Sequence, residues 1–150
     1  MKFIINNLQT IPVRESYLIE IFKAINTHYR RRFKRYEVIV SLVNDAYIRK
    51  LNKQFLGRDK ATDVIAFPME EEMGSRGGKS IVLGDVVVSV QRARAQSKQF
   101  KVSLHEEIAL LIVHGVLHLL GYDDLNQADA CVMRGKETQV LGKMRGNRGK

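Results

Sequence analysis

The stretch "SLHEEIALLIVHGVLHLLGYDD", residues 103–124, decides the fold. Ser103 with Glu106 three residues later has the form of a capping box, the hydroxyl reaching forward and the carboxylate back to the free N–H groups of a helix start. From there to Gly121 the segment is apolar nearly all round, so the spacing predicts a buried helix. Gly121 can take the left-handed conformation that stops a helix and reverses the chain. A helix of this composition belongs in a core.

Working outward, the neighbouring segments supply what such a helix needs to be covered. Just before it, a basic helix is predicted after Ser89, with Val90, Ala93 and Phe100 turned inward and Arg92, Arg94 and Lys98 on its polar side. "IVLGDVVVS" (81–89) and "TDVIAFP" (62–68) read as strands, the second ended by Pro68, and "MEEEMGSRGGKS" (69–80) between them as an exposed hairpin loop. Further upstream come the polar loop "GRDKA" (57–61), a helix "DAYIRKLNKQFL" (45–56) starting at Asn44 or Asp45, and the β-branched strand "YEVIVSLVN" (36–44). A helix from Ser16, as N-cap, to His28 has Leu18, Ile21, Phe22 and Ile25 at core spacing. "KFIIN" (2–6) is the first strand and a last helix is expected from about Asn126 to Leu141.

The order β-α-β-α-β-β-α-α-α predicts an α+β fold, a small mixed β-sheet of about four strands packed against a layer of helices with the 103–121 helix in the core. At 150 residues the chain fits one domain, expected over 1–143, with 144–150 as a flexible basic tail. No uncharged apolar run approaches the roughly 18–20 residues that span a bilayer, and the N-terminal stretch does not read as an export signal. Cys131 is the only cysteine, so a disulfide within the chain is excluded, no disulfide-linked partner is expected and a reducing cytoplasm suits the chain. Lys and Arg outnumber Asp and Glu 25 to 16, a net charge of +9, which favours polyanionic partners.

The chemistry concentrates at 114–124. His114 and His118 are four apart, so on a helix both imidazoles lie on one face and can meet at one metal ion. Past the turn at Gly121, Tyr122, Asp123 and Asp124 are candidates for a third ligand. Zinc accepts carboxylate as well as imidazole, and catalytic sites commonly use three protein ligands and leave the fourth position to water. The spacing of His114, His118 and Asp124 also matches the long zincin pattern, with Gly121 at its glycine. The residue after the first histidine is Gly115, however, where metalloproteases carry the glutamate that acts as general base, which argues against peptide hydrolysis by that route. His105 lies about half a rotation and some 13 Å away along the helix, too far to be a fourth ligand.

"HGVLHLLGYDD" resembles the signature H-G-x-L-H-L-x-G-Y-D-H of the YbeY family of bacterial single-strand endoribonucleases. "LNKQFLGRDKATDVIAFP" (51–68) is similar to the family segment centred on T-D-V-L-S-F, and "LGDVVVS" (83–89) to its L-G-D-I-x-I-S strand. Glu107, Met133 and Glu137 also fall where the family has them. The resemblance covers about residues 37–141. It implies a metal helix beneath a cleft, one Zn2+ as cofactor, single-stranded RNA as substrate, and roles in 3′-end maturation of 16S ribosomal RNA on the small ribosomal subunit and in ribosome quality control.

Carried over residue by residue, the ligands are His114, His118 and Asp124, the last a carboxylate where the signature has histidine. That harder donor opens the site to another divalent metal. Leu56 stands where many members have an arginine thought to face the cleft, and Arg58, two residues on, is the candidate catalytic replacement. Arg58, or an arginine of the helix after Ser89, is suited to stabilise charge on phosphate oxygens. Basic residues also cluster in "YRRRFKR" (29–35) and in "QRARAQSKQFK" (91–101), the second read as an RNA-facing set. Asp63 and Asp85 are expected to hydrogen-bond within the strands. Two other functions fit the sequence: a ribosome-associated RNA-binding factor with a structural metal, and a metal-dependent hydrolase of another substrate. Oligomeric state is not encoded legibly, and no membrane partner is expected.

Overall fold

The computed structural model describes residues 1–29, 33–73 and 80–148. Strand β1 (Lys2–Asn7) is followed by helix α1 (Glu15–Tyr29), strand β2 (Tyr36–Val43), helix α2 (Asp45–Leu56), strands β3 (Val64–Met73) and β4 (Ser80–Ser89), and helices α3 (Val90–Phe100), α4 (Leu104–Leu119) and α5 (Gln127–Arg148). Polar side chains open most of the helices by accepting N–H groups that have no partner within the helix. Asn44 accepts from Tyr47, Ser89 from Arg92 and Asn126 from Asp129. At α4 the expected capping box is complete, Ser103 Oγ accepting from Glu106 N and Glu106 Oε2 from Ser103 N.

The sheet has four strands in the order β1-β2-β4-β3, with β1, β2 and β4 parallel and β3 antiparallel at the edge. Alternation along β2 separates its faces. Val38, Val40 and Leu42 join the main core with α1, α4 and α5, whereas Val43 joins a smaller cluster under α2 with Ile48, Ile65 and Val87. Helices α1, α3, α4 and α5 thus build the core on one face of the sheet, and α2 covers part of the other. No single helix among the described residues is long and apolar enough to cross a membrane.

Two glycines seat α4 on the sheet. A Cβ at Gly115 would stand 2.5 Å from Val86 Cγ1, and one at Gly84, on β4, would stand 2.3 Å from Phe67 O and 2.7 Å from a Leu119 methyl. Gly115 and Leu119 are one turn apart on the helix, and Val86 and Gly84 two apart on one face of the strand, so the two surfaces meet in register. The extra residue at Leu83, where β4 shifts against β2 between Glu37 and Val38, places Gly84 at that contact. Gly115 therefore permits close approach of β4.

Four local expectations need correction. Helix α1 begins at Glu15 with Ser16 already inside it, because the Arg14 carbonyl accepts from Tyr17 and Leu18 while the Arg14 N–H is fixed by His105 Nε2 at 3.0 Å. Pro68 does not end its strand: β3 is an edge strand, where a missing N–H is tolerated, and pairing resumes after an irregularity between Pro68 and Glu71. Phe100 is 58% exposed, since α3 stops at Lys101, whose φ of 57° turns the chain before that ring reaches the core. The last helix does not stop at Leu141 but continues to Arg148, with Met144 buried beside Val140. Of the other sequence features, residues 74–79 of the hairpin and Arg30–Arg32 lie outside the described residues.

Candidate metal centre and its cleft

Helix α4 ends in a Schellman motif: Gly121, with φ of 99°, donates to His118 O and Tyr122 donates to Leu117 O. The reversal carries Asp124 back over the last turn of the helix. His114 Nε2 and His118 Nε2 stand 3.1 Å apart, and the Asp124 carboxylate lies 3.8 Å from the first and 3.9 Å from the second. One ligand atom from each residue falls within 4.8 Å of the other two, an arrangement that could hold a metal ion. Two nitrogens at zinc distance on a tetrahedral ion are about 3.4 Å apart, close to what the histidines already show. His105, by contrast, is occupied by Arg14 N and by an edge contact with Tyr17.

Behind the histidines, His114 Nδ1 makes a 2.6 Å hydrogen bond to Glu137 Oε1. In the neutral imidazole Nδ1 is then the donor, which leaves the Nε2 lone pair facing Asp124 and His118. Glu137 comes from α5, in phase with Met133 and Val140, and is buried with them. The same contact raises the pKa of His114 above its ordinary value of 6.5: the hydrogen bond to Glu137 is the main cause, burial opposes it, and the charges of Glu137, Asp124 and Asp63 reinforce it. A metal ion at Nε2 competes with that proton.

The histidines form one wall of a cleft of about 510 Å³. Val64, Ala66 and Pro68 of β3 line its floor, and Leu56 at the end of α2 faces it together with Arg58 and Lys60 of the segment that follows. That segment is built onto the helix. Gly57, φ 68°, ends α2, Arg58 N donates to Asn52 O, and the buried Asn52 side chain donates to Lys60 O at 2.9 Å. Arg49 Nε donates to Asp59 Oδ1 at 2.8 Å from outside. With Asp59 turned to Arg49, its neighbours Arg58 and Lys60 remain to line the cleft.

The family model for Endoribonuclease YbeY matches residues 3–145. This chain belongs to that family. The Endoribonuclease YbeY of Pelotomaculum thermopropionicum is 48% identical over 109 residues, 72% of each chain, and that of Desulforamulus reducens is 39% identical over 99% of this chain and all of the relative. The solution structure of TM1509 from Thermotoga maritima has a TM-score of 0.64 and 25% identity, covering 97% of this chain and 93% of its own. The protein is thus a YbeY-type endoribonuclease, an RNA-cleaving hydrolase.

In this YbeY chain Leu56 and Arg58 line the same cleft, since the turn at Gly57 redirects the chain between them. No arginine of α3 lines it, and Arg92 pairs instead with Asp45 at 3.5 Å. Asp63 is a hydrogen-bonding residue as expected, accepting from Val64 N at 2.7 Å and Gln96 Nε2 at 3.2 Å. Asp85 is not: its Oδ1 is buried with no hydrogen-bond partner among the described residues, on the opposite face of the sheet, and burial pushes its pKa up. Sequence reasoning missed Lys60 and the Glu137 contact. The signal for Glu137 was an acid in the apolar stripe of α5; Lys60 had only its place beside Arg58 in "GRDK".

Proposed function

We propose that this YbeY endoribonuclease is a zinc enzyme that cuts single-stranded RNA, that it works in 3′-end maturation of 16S ribosomal RNA and in quality control of the small ribosomal subunit, and that it does so in the cytoplasm as one domain over 1–143. His114, His118 and Asp124 would hold the ion. When bound, zinc supplies a Lewis acid for a phosphoryl oxygen and lowers the pKa of water. The observation that carries the reading is the convergence of these three side chains in a cleft whose facing wall carries Arg58 and Lys60.

The protein's own groups then divide the work. Glu137 fixes the His114 tautomer and ring, as carboxylates do behind ligating histidines. Arg58 and Lys60 bind the RNA backbone, and Arg58 offsets negative charge that builds on the phosphate during cleavage. Leu56 and the apolar floor of β3 limit water around that phosphate. The test is cleavage of a defined single-stranded RNA by metal-stripped, zinc-restored and His114→Ala protein, with bound metal quantified. Activity should follow zinc and vanish in the variant. Full metal content and activity in His114→Ala would overturn the ligand set, while tight RNA binding without cutting under any metal would make the chain a binding factor.

A further inference from the structure

A second recess lies at the end of α4, beside the turn that carries Asp124. Tyr29, Phe33, Leu120, Gly121 and Tyr122 enclose about 160 Å³, and none of them lines the metal cleft. Pockets for drug-sized ligands run to roughly 300–1,000 Å³, so this one is scaled to a single ring system. Its walls are preset. Phe33 meets Tyr29 edge-to-face at 5.7 Å and Tyr36 at 5.4 Å, and Tyr29 meets His28 at 4.7 Å. These edge-to-face contacts brace the Phe33 ring, and at Gly121 the rim is open, with nothing within 4 Å of where a Cβ would be.

Cations adjoin it along the chain and through His28, while Asp123 follows Tyr122. Lys34 and Arg35 follow Phe33 and are exposed. Lys136 and Lys143 act from α5, since after burial their charges are what depress the His28 pKa. Aromatic faces framed by cations are the combination that holds single-stranded nucleic acid, the rings stacking on bases and the cations meeting phosphates. The recess is also near the chemistry: Tyr122 is two residues from Asp124, so their Cα atoms are at most about 7.6 Å apart.

We infer that this recess is a nucleobase subsite, in which Phe33 and Tyr122 stack on one base of the single-stranded RNA beside the phosphate being cut. The inference rests on the RNA substrate proposed above and adds the residues that fix where along the strand the enzyme stops. It makes Phe33 and Tyr122 positioning residues, acting on KM rather than on the chemical step.

The test uses zinc-loaded full-length protein and a defined single-stranded RNA in which one nucleotide at a time lacks its base. Cleavage kinetics and equilibrium binding by fluorescence anisotropy are both read. Removing one base near the cut should raise KM and Kd about tenfold with kcat little changed, as loss of one stacked base does. Phe33→Leu should bind the intact RNA about tenfold more weakly and become indifferent to base removal at that position. Tyr122→Phe should behave as wild type and Tyr122→Leu like Phe33→Leu, a pair that still decides the matter if Phe33→Leu melts early. A flat base-removal profile in the wild type, or an unchanged profile in both Leu variants, overturns the subsite, as does a failure to bind RNA. If RNA is bound but never cut, the cleavage reading falls and the Kd profile alone judges the recess.

Discussion

The two kinds of ligand at the candidate metal centre are held in different ways. His114 and His118 project from the C-terminal half of a helix that packs against the sheet and against α1, α3 and α5, and their side chains are 26% and 30% exposed. Asp124 sits beyond the Gly121 turn with its side chain 46% exposed, and no described contact other than the histidines holds its carboxylate. Local hydrogen bonding there goes to Asp123, whose Oδ1 accepts the Asp124 N–H at 2.7 Å. The contrast shows a site with a rigid half and an adjustable half: the nitrogens are set by packing, and the carboxylate must close by about half an ångström onto an ion.

The harshest way to break this contrast is to remove the rigid half. His114→Ala should lose stoichiometric zinc and with it RNA cleavage, measured by metal analysis after dialysis. Glu137→Gln leaves both histidines but replaces the charged acceptor behind His114 with a neutral one, and zinc affinity should fall about 10- to 100-fold in competition with a chelator. On the adjustable side Asp124→Asn should cost less, about tenfold, and Asp124→His should raise the preference for zinc over manganese, because a softer donor replaces the carboxylate. An Asp124→Asn loss as large as that of His114→Ala would mean that the two halves are equally fixed.

Gly115→Ala probes the seat of the rigid half. Overpacking against Val86 should destabilise by about 1–3 kcal/mol, offset by about 1 kcal/mol of helix propensity, a small net fall in urea midpoint. The smallest effect is on pH dependence. Because the folded-state pKa of His114 is raised, its stabilisation of metal-free protein is present below about pH 6.5 and lost as pH rises through that raised value. Zinc binding has the opposite sign, weakening as pH falls through the same range. The difference in urea midpoint between wild type and Glu137→Gln, without metal, should therefore shrink from acidic to alkaline pH.

What the sequence made legible follows the range of the interactions. The capping box, the Gly121 reversal and the three converging side chains all lie within residues 103–124, where helix geometry alone fixes relative positions. Arg58 was reached through the family resemblance, two positions from Leu56. The fit of Gly115 on Val86, the bond from His114 to Glu137 and the fold of the 57–60 segment onto Asn52 depend on tertiary partners that periodicity does not name. The misplaced ends had the same origin. Pro68 stayed in a strand because that strand is at an edge, and α5 ran past Leu141 because Met144 found a place in the core.

Glu137 also has a bearing on timing. The carboxylate that orients His114 comes 23 residues after it, on a helix that must pack against α1 and α4. During synthesis the histidine pair and Asp124 therefore leave the ribosome before the residue that sets the His114 tautomer. An RNA-cutting chain is made on a machine built of RNA, and the docking of α5, which brings Glu137 to His114, is the last step in completing that hydrogen-bonded pair.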